Sequence, residues 1–181
     1  EALNLADAPS AQSAQEPVKE VKQEPVTQEE QHKQTEASNQ VGKALAVYDE
    51  FLTLNNLKDL LECVESIPKL KLDEFCVKLT EKLIESPSLA DHLEQFALFA
   101  ATSQELLEAH WRVAIESIIT SIDDLAVDVP IAYTGFGLIL QVLRSRHLVE
   151  NVDLSTISPL GKFKVIGWMN PKEIDAYFKN I

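Results

Sequence analysis

The chain has 181 residues, of which 45% are hydrophobic and 5 are glycine, and its formal net charge is −13 at pH 7. A surface this acidic repels nucleic-acid phosphates and anionic membranes, because binding to either needs clustered Lys and Arg. The length predicts one domain with a tail. Position 1 is a charged residue rather than Met, which we interpret as the start of a fragment of a longer protein.

The two cysteines, Cys63 and Cys76, lie in apolar stretches and are too few for a disulfide scaffold. The chain has no Asn-x-Ser/Thr sequon either, so the sequence favours a reducing, intracellular setting. The longest uncharged stretch of the apolar part, residues 129–143, is too short and too polar for a bilayer span, which needs about 20 apolar residues. No signal-peptide pattern is present at the start.

Residues 1–40 differ from the rest in composition. They contain no aromatic residue, and their 8 acidic and 3 basic side chains give a net charge of −5. Such a segment cannot bury enough apolar area to offset the entropy cost of folding. We therefore predict a disordered acidic linker, rich in Gln, Glu, Pro and Ser, over residues 1–40 and a helical domain over residues 41–181.

From Val41 onward, apolar residues recur at helical spacing, and no alternating strand pattern competes. Four successive stripes are each expected to be buried against a neighbouring helix. They are Leu57, Leu60, Leu61, Val64 and Ile67; Leu72, Phe75, Cys76, Leu79 and Leu83; Leu89, Leu93, Phe96, Ala97 and Ala100; and Leu107, Trp111, Ala114, Ile115, Ile118 and Ile122. Further helices are expected from about residue 129 and from Pro171 to the end, with a weaker segment over residues 158–169.

The predicted fold class is all-α. Helices joined by short turns are expected to pack as antiparallel hairpins, and six to eight helices in succession indicate a HEAT-like stack. No repeat is visible in the residue identities themselves, so this prediction depends on the spacing of the helices.

The sequence offers little that is typical of catalysis. The four histidines are scattered, and neither a His-Glu-x-x-His nor a Cys-x-x-Cys motif is present. Gly135-Phe136-Gly137 has only two of the glycines that a phosphate-binding loop needs, so we interpret it as small residues that let two helices approach closely. We predict that the chain is not an enzyme and uses no cofactor or metal.

One segment, residues 122–130, places three acids between apolar residues in a predicted helix-to-helix connection. Asp128 could act simply as the N-cap of a helix that begins around Val129-Pro130. Asp123 and Asp124 could be ordinary solvated loop residues. The functional alternative is a rigid acidic surface presented to an Arg or Lys cluster on another protein. The residues by themselves leave these alternatives open.

Two parts of the chain resemble the MI domain of the translation-initiation scaffold, initiation factor 4G. The first is residues 48–64, where a Glu-Phe-Leu helix is followed by an Asn-Asp-Leu-like turn and a second helix. The second is Asp124-x-x-x-Asp128-Val129-Pro130. The resemblance covers residues 43–155, and after Asp153 the chain departs from the family pattern. Residues 158–181 are therefore either a diverged last helical pair or an appendage.

The resemblance implies a HEAT-like fold, a cytoplasmic location and a partner, the DEAD-box RNA helicase initiation factor 4A. Other initiation-complex proteins would be reached through the parent scaffold. Carried over by position, Asp124, Asp128 and Pro130 form the contact, the aspartates supplying charge and the proline setting the geometry. Asp123 belongs to the same acidic segment and is a further candidate contact.

Three alternatives to this scaffold remain. Programmed cell death protein 4, a translation inhibitor, resembles the same domain but carries two copies, whereas this chain has one Asp-x-Pro motif and a long acidic linker. An MI-type adaptor of another RNA-processing complex would have the same fold without binding the helicase. A direct RNA-binding module is disfavoured by the acidic balance and by the lack of a basic stripe with interleaved aromatic residues.

Overall fold

A computed structural model describes residues 28–169, with side chains described from residue 36 to residue 168. The first 27 residues of the predicted linker lie outside the described residues. The helix expected after Pro171, with its apolar positions Ile174, Tyr177, Phe178 and Ile181, also lies outside them.

The described residues form seven α-helices and two short 3₁₀ segments, and residues 28–169 contain no β-strand. This confirms the predicted all-α class. The helices are α1 (Gln28–Leu54), α2 (Leu57–Glu65), α3 (Leu72–Glu85), α4 (Leu93–Thr102), α5 (Glu108–Asp128), α6 (Ala132–Ser145) and α7 (Pro159–Met169). The 3₁₀ segments Lys69–Lys71 and Leu89–His92 lead directly into α3 and α4.

Most residues of the four predicted apolar stripes are buried in the core. In α3 every residue of the stripe is buried, and in the stripe that continues along α5 only Leu107, at the N-cap position, is exposed. Aromatic rings join α1, α3 and α4: Tyr48 meets Phe99 edge to face with ring centroids 5.7 Å apart, and Phe75 meets Phe99 at 6.4 Å. Burial of these stripes is the main force that brings the helices together.

Helix α1 begins at Gln28, so the prediction of a disordered linker is not confirmed for residues 28–40. Val41 is the first buried side chain among those described, and residues 36–40 are exposed or half-buried. The change in composition therefore marks where burial begins, not where the helix begins. Extending a helix that is already nucleated costs little free energy, because each added residue gains a hydrogen bond. Gln, Glu and Ala are also good helix formers.

Helix α6 lies at the centre of the packing and contacts α3, α4, α5 and α7. Its two glycines lie against different helices. A Cβ at Gly135 would lie 3.1 Å from the backbone of Ile84 in α3, and a Cβ at Gly137 would lie 2.8 Å from the carbonyl oxygen of Val165 in α7. The interpretation of Gly135-Phe136-Gly137 as a site of close helix approach is confirmed.

Helices α6 and α7 run in the same direction, which the prediction of antiparallel hairpins did not anticipate. Tyr133 lies against Gly161, and one turn further along both helices Gly137 lies against Val165. Residues 146–158, here called the return segment, must therefore run back past the length of α6 before α7 begins. The return segment buries Val149 and Ile157. The hairpin rule applies to short turns, and this connection is not short.

Candidate protein-interaction site

The acidic segment singled out in the sequence forms the end of α5 rather than a connection between helices. Asp128 is the last residue of α5, Val129 is extended (φ −117°, ψ 91°), and α6 begins only at Ala132. A residue that precedes proline is pushed out of the α conformation, so Pro130 explains why α5 ends at Asp128. The expected helix start at Val129-Pro130 is therefore wrong, and Asp128 does not cap α6.

Asp124 and Asp128 lie four residues apart in the last turns of α5, and both are exposed. Neither carboxylate has a hydrogen bond or an ion pair with a residue that the structure describes. The side chain of Val127 is 80% exposed and that of Ile131 is 40% exposed, and Pro130 is also exposed. These five residues together form a mixed acidic and apolar surface, here called the acidic corner.

The carboxylate of Asp123, unlike those of Asp124 and Asp128, accepts hydrogen bonds from other parts of the protein. It accepts hydrogen bonds from the Tyr133 hydroxyl at 2.7 Å, from the Ser158 backbone N–H at 2.8 Å and from the Ser158 hydroxyl at 3.0 Å. The hydrogen bond from Tyr133 is the largest cause of a pKa of Asp123 below its ordinary value, and Ser158 adds to it. Asp123 thus joins α5 to the start of α6 and to the end of the return segment.

Sequence reasoning missed Tyr133 and Ser158, the two partners of Asp123. Ser158 comes directly before Pro159, the first residue of α7, and its hydroxyl accepts the Gly161 backbone N–H at 3.3 Å. A Ser-Pro pair is a typical helix start, so the cap itself was visible in the sequence. The bond to Asp123 was not visible, because 35 residues separate the two side chains along the chain.

Between residues 36 and 168, no group of three His, Cys, Asp or Glu side chains is arranged as the ligands of a metal ion. None of the described helices has both the length and the apolarity that a membrane crossing requires.

Comparison with known proteins adds no family to these observations. No protein-family model, no curated protein and no solved structure matches the chain. The resemblance to the MI domain thus stays a prediction that depends on the motif residues quoted above.

Proposed function

We propose that this chain is a non-catalytic, MI-type interaction module of a cytoplasmic translation-initiation scaffold. It binds the DEAD-box RNA helicase initiation factor 4A through the acidic corner. The observation that carries the proposal is the combination of two exposed carboxylates, neither of them paired with a described residue, with exposed apolar side chains at one end of α5. Such a surface suits a partner that presents Arg or Lys around an apolar contact.

Two exposed carboxylates at the same spacing also occur at the end of α3, so carboxylates alone do not distinguish the acidic corner. Glu81 and Glu85 have the same spacing at the end of α3 and are exposed. Residues 82–90, which lie between and directly after them, include no exposed large apolar side chain. The acidic corner differs by having Val127 and Ile131 beside its carboxylates, and an exposed apolar group gains free energy when a partner covers it.

The geometry around Asp123 supports the proposal as well. Because Asp123 is bonded to Tyr133 and Ser158, the end of α5 is held against α6 and α7. A surface that is ordered before binding loses less entropy when a partner docks. The proline and the internal aspartate thus position Asp124 and Asp128, which remain available to a partner.

The packing of the first six helices supports a HEAT-like stack as part of the proposal. Helix α3 packs on α5 and α4 packs on α6, so these helices contact the second helix along the chain. Stacked helical pairs contact one another in this way. On this view α7, which runs parallel to α6, is added to the end of the stack.

The charge of the domain would also favour this partner. Residues 41–181 carry 21 acidic and 13 basic side chains, a net of −8. Such a surface speeds the encounter with a basic partner, and salt weakens the effect by screening. A flexible tether to the rest of a scaffold would raise the effective concentration of the helicase.

The test is calorimetric titration of the chain into purified initiation factor 4A at two salt concentrations. We expect salt-sensitive binding by the wild type and its loss in an Asp124→Ala/Asp128→Ala variant. Removing one aspartate from a buried charge pair costs about 2 to 5 kcal/mol of binding free energy.

The matched control is Glu81→Ala/Glu85→Ala, which removes the same charge at the same spacing from the end of α3. Its affinity should stay close to that of the wild type, and circular dichroism should show that both variants fold. No binding by the wild type would refute the helicase assignment and favour an adaptor for another complex. Equal weakening by the two variants would indicate a general effect of charge rather than a contact at the acidic corner.

A further inference from the structure

A groove of about 290 Å³ lies between the middle of α5 and the return segment. Its floor is apolar: Ile115 and Val149 are buried, and Ile119 and Val152 are half-buried. Sites for small molecules typically measure about 300–1,000 Å³, so this groove lies at the lower limit of that range. Its size suits one or two large apolar side chains of another protein.

The mouth of this groove is acidic. Glu116 lies on the α5 side, Asp153 lies on the return segment, and both are exposed. The backbone N–H of Ser155 donates a hydrogen bond to Asp153 at 2.8 Å, which helps to hold that carboxylate in place. Arg112 also lines the groove, but its guanidinium is already paired with Glu108 on the same helix. Glu116 is therefore left without a described cation, whereas the ammonium of Lys162 interacts electrostatically with Asp153.

The groove and the acidic corner lie on the same helix. Glu116 and Asp124 are eight residues apart in α5, which corresponds to about 12 Å along the helix axis. A helical segment of three turns is about 16 Å long. A single segment of a partner can therefore reach both places.

We propose that the groove is a second contact for the same partner, and that it takes a large apolar side chain from a segment rich in Lys and Arg. The apolar floor provides a dry contact for that side chain, and Glu116 and Asp153 attract the cations beside it. The same carboxylates repel an acidic peptide or a nucleic-acid backbone. The identity of the partner in this proposal depends on the proposed function. The chemistry of the groove does not depend on it.

Two variants of the full chain test the groove without touching the acidic corner. Thr120→Trp places a large side chain at the groove from an exposed position, and Glu116→Lys reverses a charge at its mouth. Their matched controls are Thr102→Trp on α4 and Glu81→Lys on α3, which make the same changes at exposed positions elsewhere. Circular dichroism and thermal unfolding establish that all four variants fold.

In calorimetric titration into initiation factor 4A, we expect each groove variant to bind at least about tenfold more weakly and each control to stay within about twofold of the wild type. If the wild type binds and the folded groove variants bind equally well, the groove proposal is overturned while the proposed function stands. If groove and control variants are weakened alike, the groove proposal is also overturned.

If the wild type does not bind the helicase, the proposed function fails, and the groove is tested with synthetic helical peptides. One peptide carries a Leu stripe flanked by Lys, and the other carries the same stripe flanked by Glu. Shifts of the Ile119 and Val152 methyl signals with the Lys peptide alone, lost in Thr120→Trp, support the groove. Absence of shifts with the Lys peptide, or equal shifts with both peptides, overturns it.

Discussion

Asp123 shows how a single carboxylate can organise three parts of the chain. It accepts hydrogen bonds from Tyr133 in α6 and from Ser158 before α7, while it belongs to α5. In the sequence it is one of three similar acids. In the structure it is the one that is half-buried, whereas Asp124 and Asp128 are exposed. The helix places Asp123 and Asp124 about 100° apart around the axis, so the two neighbours face different surroundings.

The hydrogen bonds of Asp123 predict a specific dependence of stability on pH. Its pKa in the folded protein is lowered, with Tyr133 as the main cause, from a usual value of about 3.9 in an unfolded chain. Its contribution to the free energy of unfolding is therefore present above that value and is lost as the pH falls through the lower, folded pKa. We expect the wild type to lose more stability than Asp123→Asn on acidification from about pH 5.

Urea unfolding at a series of pH values measures this difference. At neutral pH the Asp123→Asn variant should be less stable by about 1–3 kcal/mol, because hydrogen bonds to a charged acceptor are weakened. Parallel stability curves for the two proteins over the acidic range would show that Asp123 has no such role.

Within residues 28–169, two residues other than glycine have a positive φ, and each follows the end of a helix. Asn55 (φ 56°) follows α1, and His147 (φ 57°) lies after α6, where the backbone N–H of Leu148 donates to the carbonyl of Leu143 at 2.9 Å. A hydrogen bond between residues five apart is a common way for a helix to end, and the residue in the left-handed conformation is usually glycine. A histidine there costs conformational free energy, because its Cβ crowds the backbone.

We therefore expect His147→Gly to raise the free energy of unfolding by about 1 kcal/mol. Asn55→Gly is the comparison and should give a smaller gain, because Asn enters the left-handed region more readily than most residues. Urea denaturation of the two variants beside the wild type tests the order. A loss of stability in His147→Gly would indicate that its side chain makes a stabilising contact that outweighs the strain.

At the scale of elements, the two glycines of α6 determine how closely this helix packs against its neighbours. Gly135 permits close approach to α3, and Gly137 permits close approach to α7. Both residues weaken the intrinsic helix propensity of α6. The close packing on two sides is what offsets that loss, since tight packing adds many small dispersion contacts.

Alanine at Gly137 should therefore destabilise the protein, although alanine favours helix. Its Cβ would lie 2.8 Å from the Val165 carbonyl oxygen and 2.8 Å from the Trp168 Cβ, so α7 would have to move. Overpacking of this kind costs about 1–3 kcal/mol, more than the roughly 0.5–1 kcal/mol that helix propensity returns.

Gly42→Ala is the matched control, because Gly42 is exposed in α1 and nothing lies within 4 Å of the position of its missing Cβ. It should raise the free energy of unfolding by about 0.5–1 kcal/mol. Thermal and urea unfolding should show that the free energy of unfolding rises in Gly42→Ala and falls in Gly137→Ala. A stabilised Gly137→Ala variant would mean that α7 can shift at little cost.

At the scale of the whole molecule, one continuous cluster of buried residues extends from Val41 in α1 to Val165 in α7. Helices from both halves of the chain contribute to it, and α3 contacts α1, α5 and α6. A shared core of this kind makes the helices depend on one another. Small domains built in this way usually unfold in a single cooperative transition.

Fluorescence can test this cooperativity, because Trp111 is buried in the core and Trp168 is about half exposed. In a Trp168→Phe variant the fluorescence reports on Trp111 alone. We expect its urea transition to coincide with the transition in helical circular dichroism. Separate midpoints would show that some helices unfold independently of the core around α5.

Local pattern was enough to predict the helical class, the buried faces of α3 and α5, and the role of Gly135 and Gly137. These features repeat every few residues, and the helix period alone decides which side chains share a face. The exposure of Asp124 and Asp128 follows from the same pattern of apolar and polar residues along the helix. The start of α1 at Gln28 was not predicted, because composition reports burial rather than backbone hydrogen bonding.

The sequence by itself thus determined an all-helical protein and its apolar faces. Only the tertiary structure decided that α7 runs parallel to α6, that Asp123 bonds to Ser158, and that the return segment forms a groove with α5. Each of these features joins residues far apart in the chain. Such contacts depend on how whole helices pack, and no short stretch of sequence contains that information.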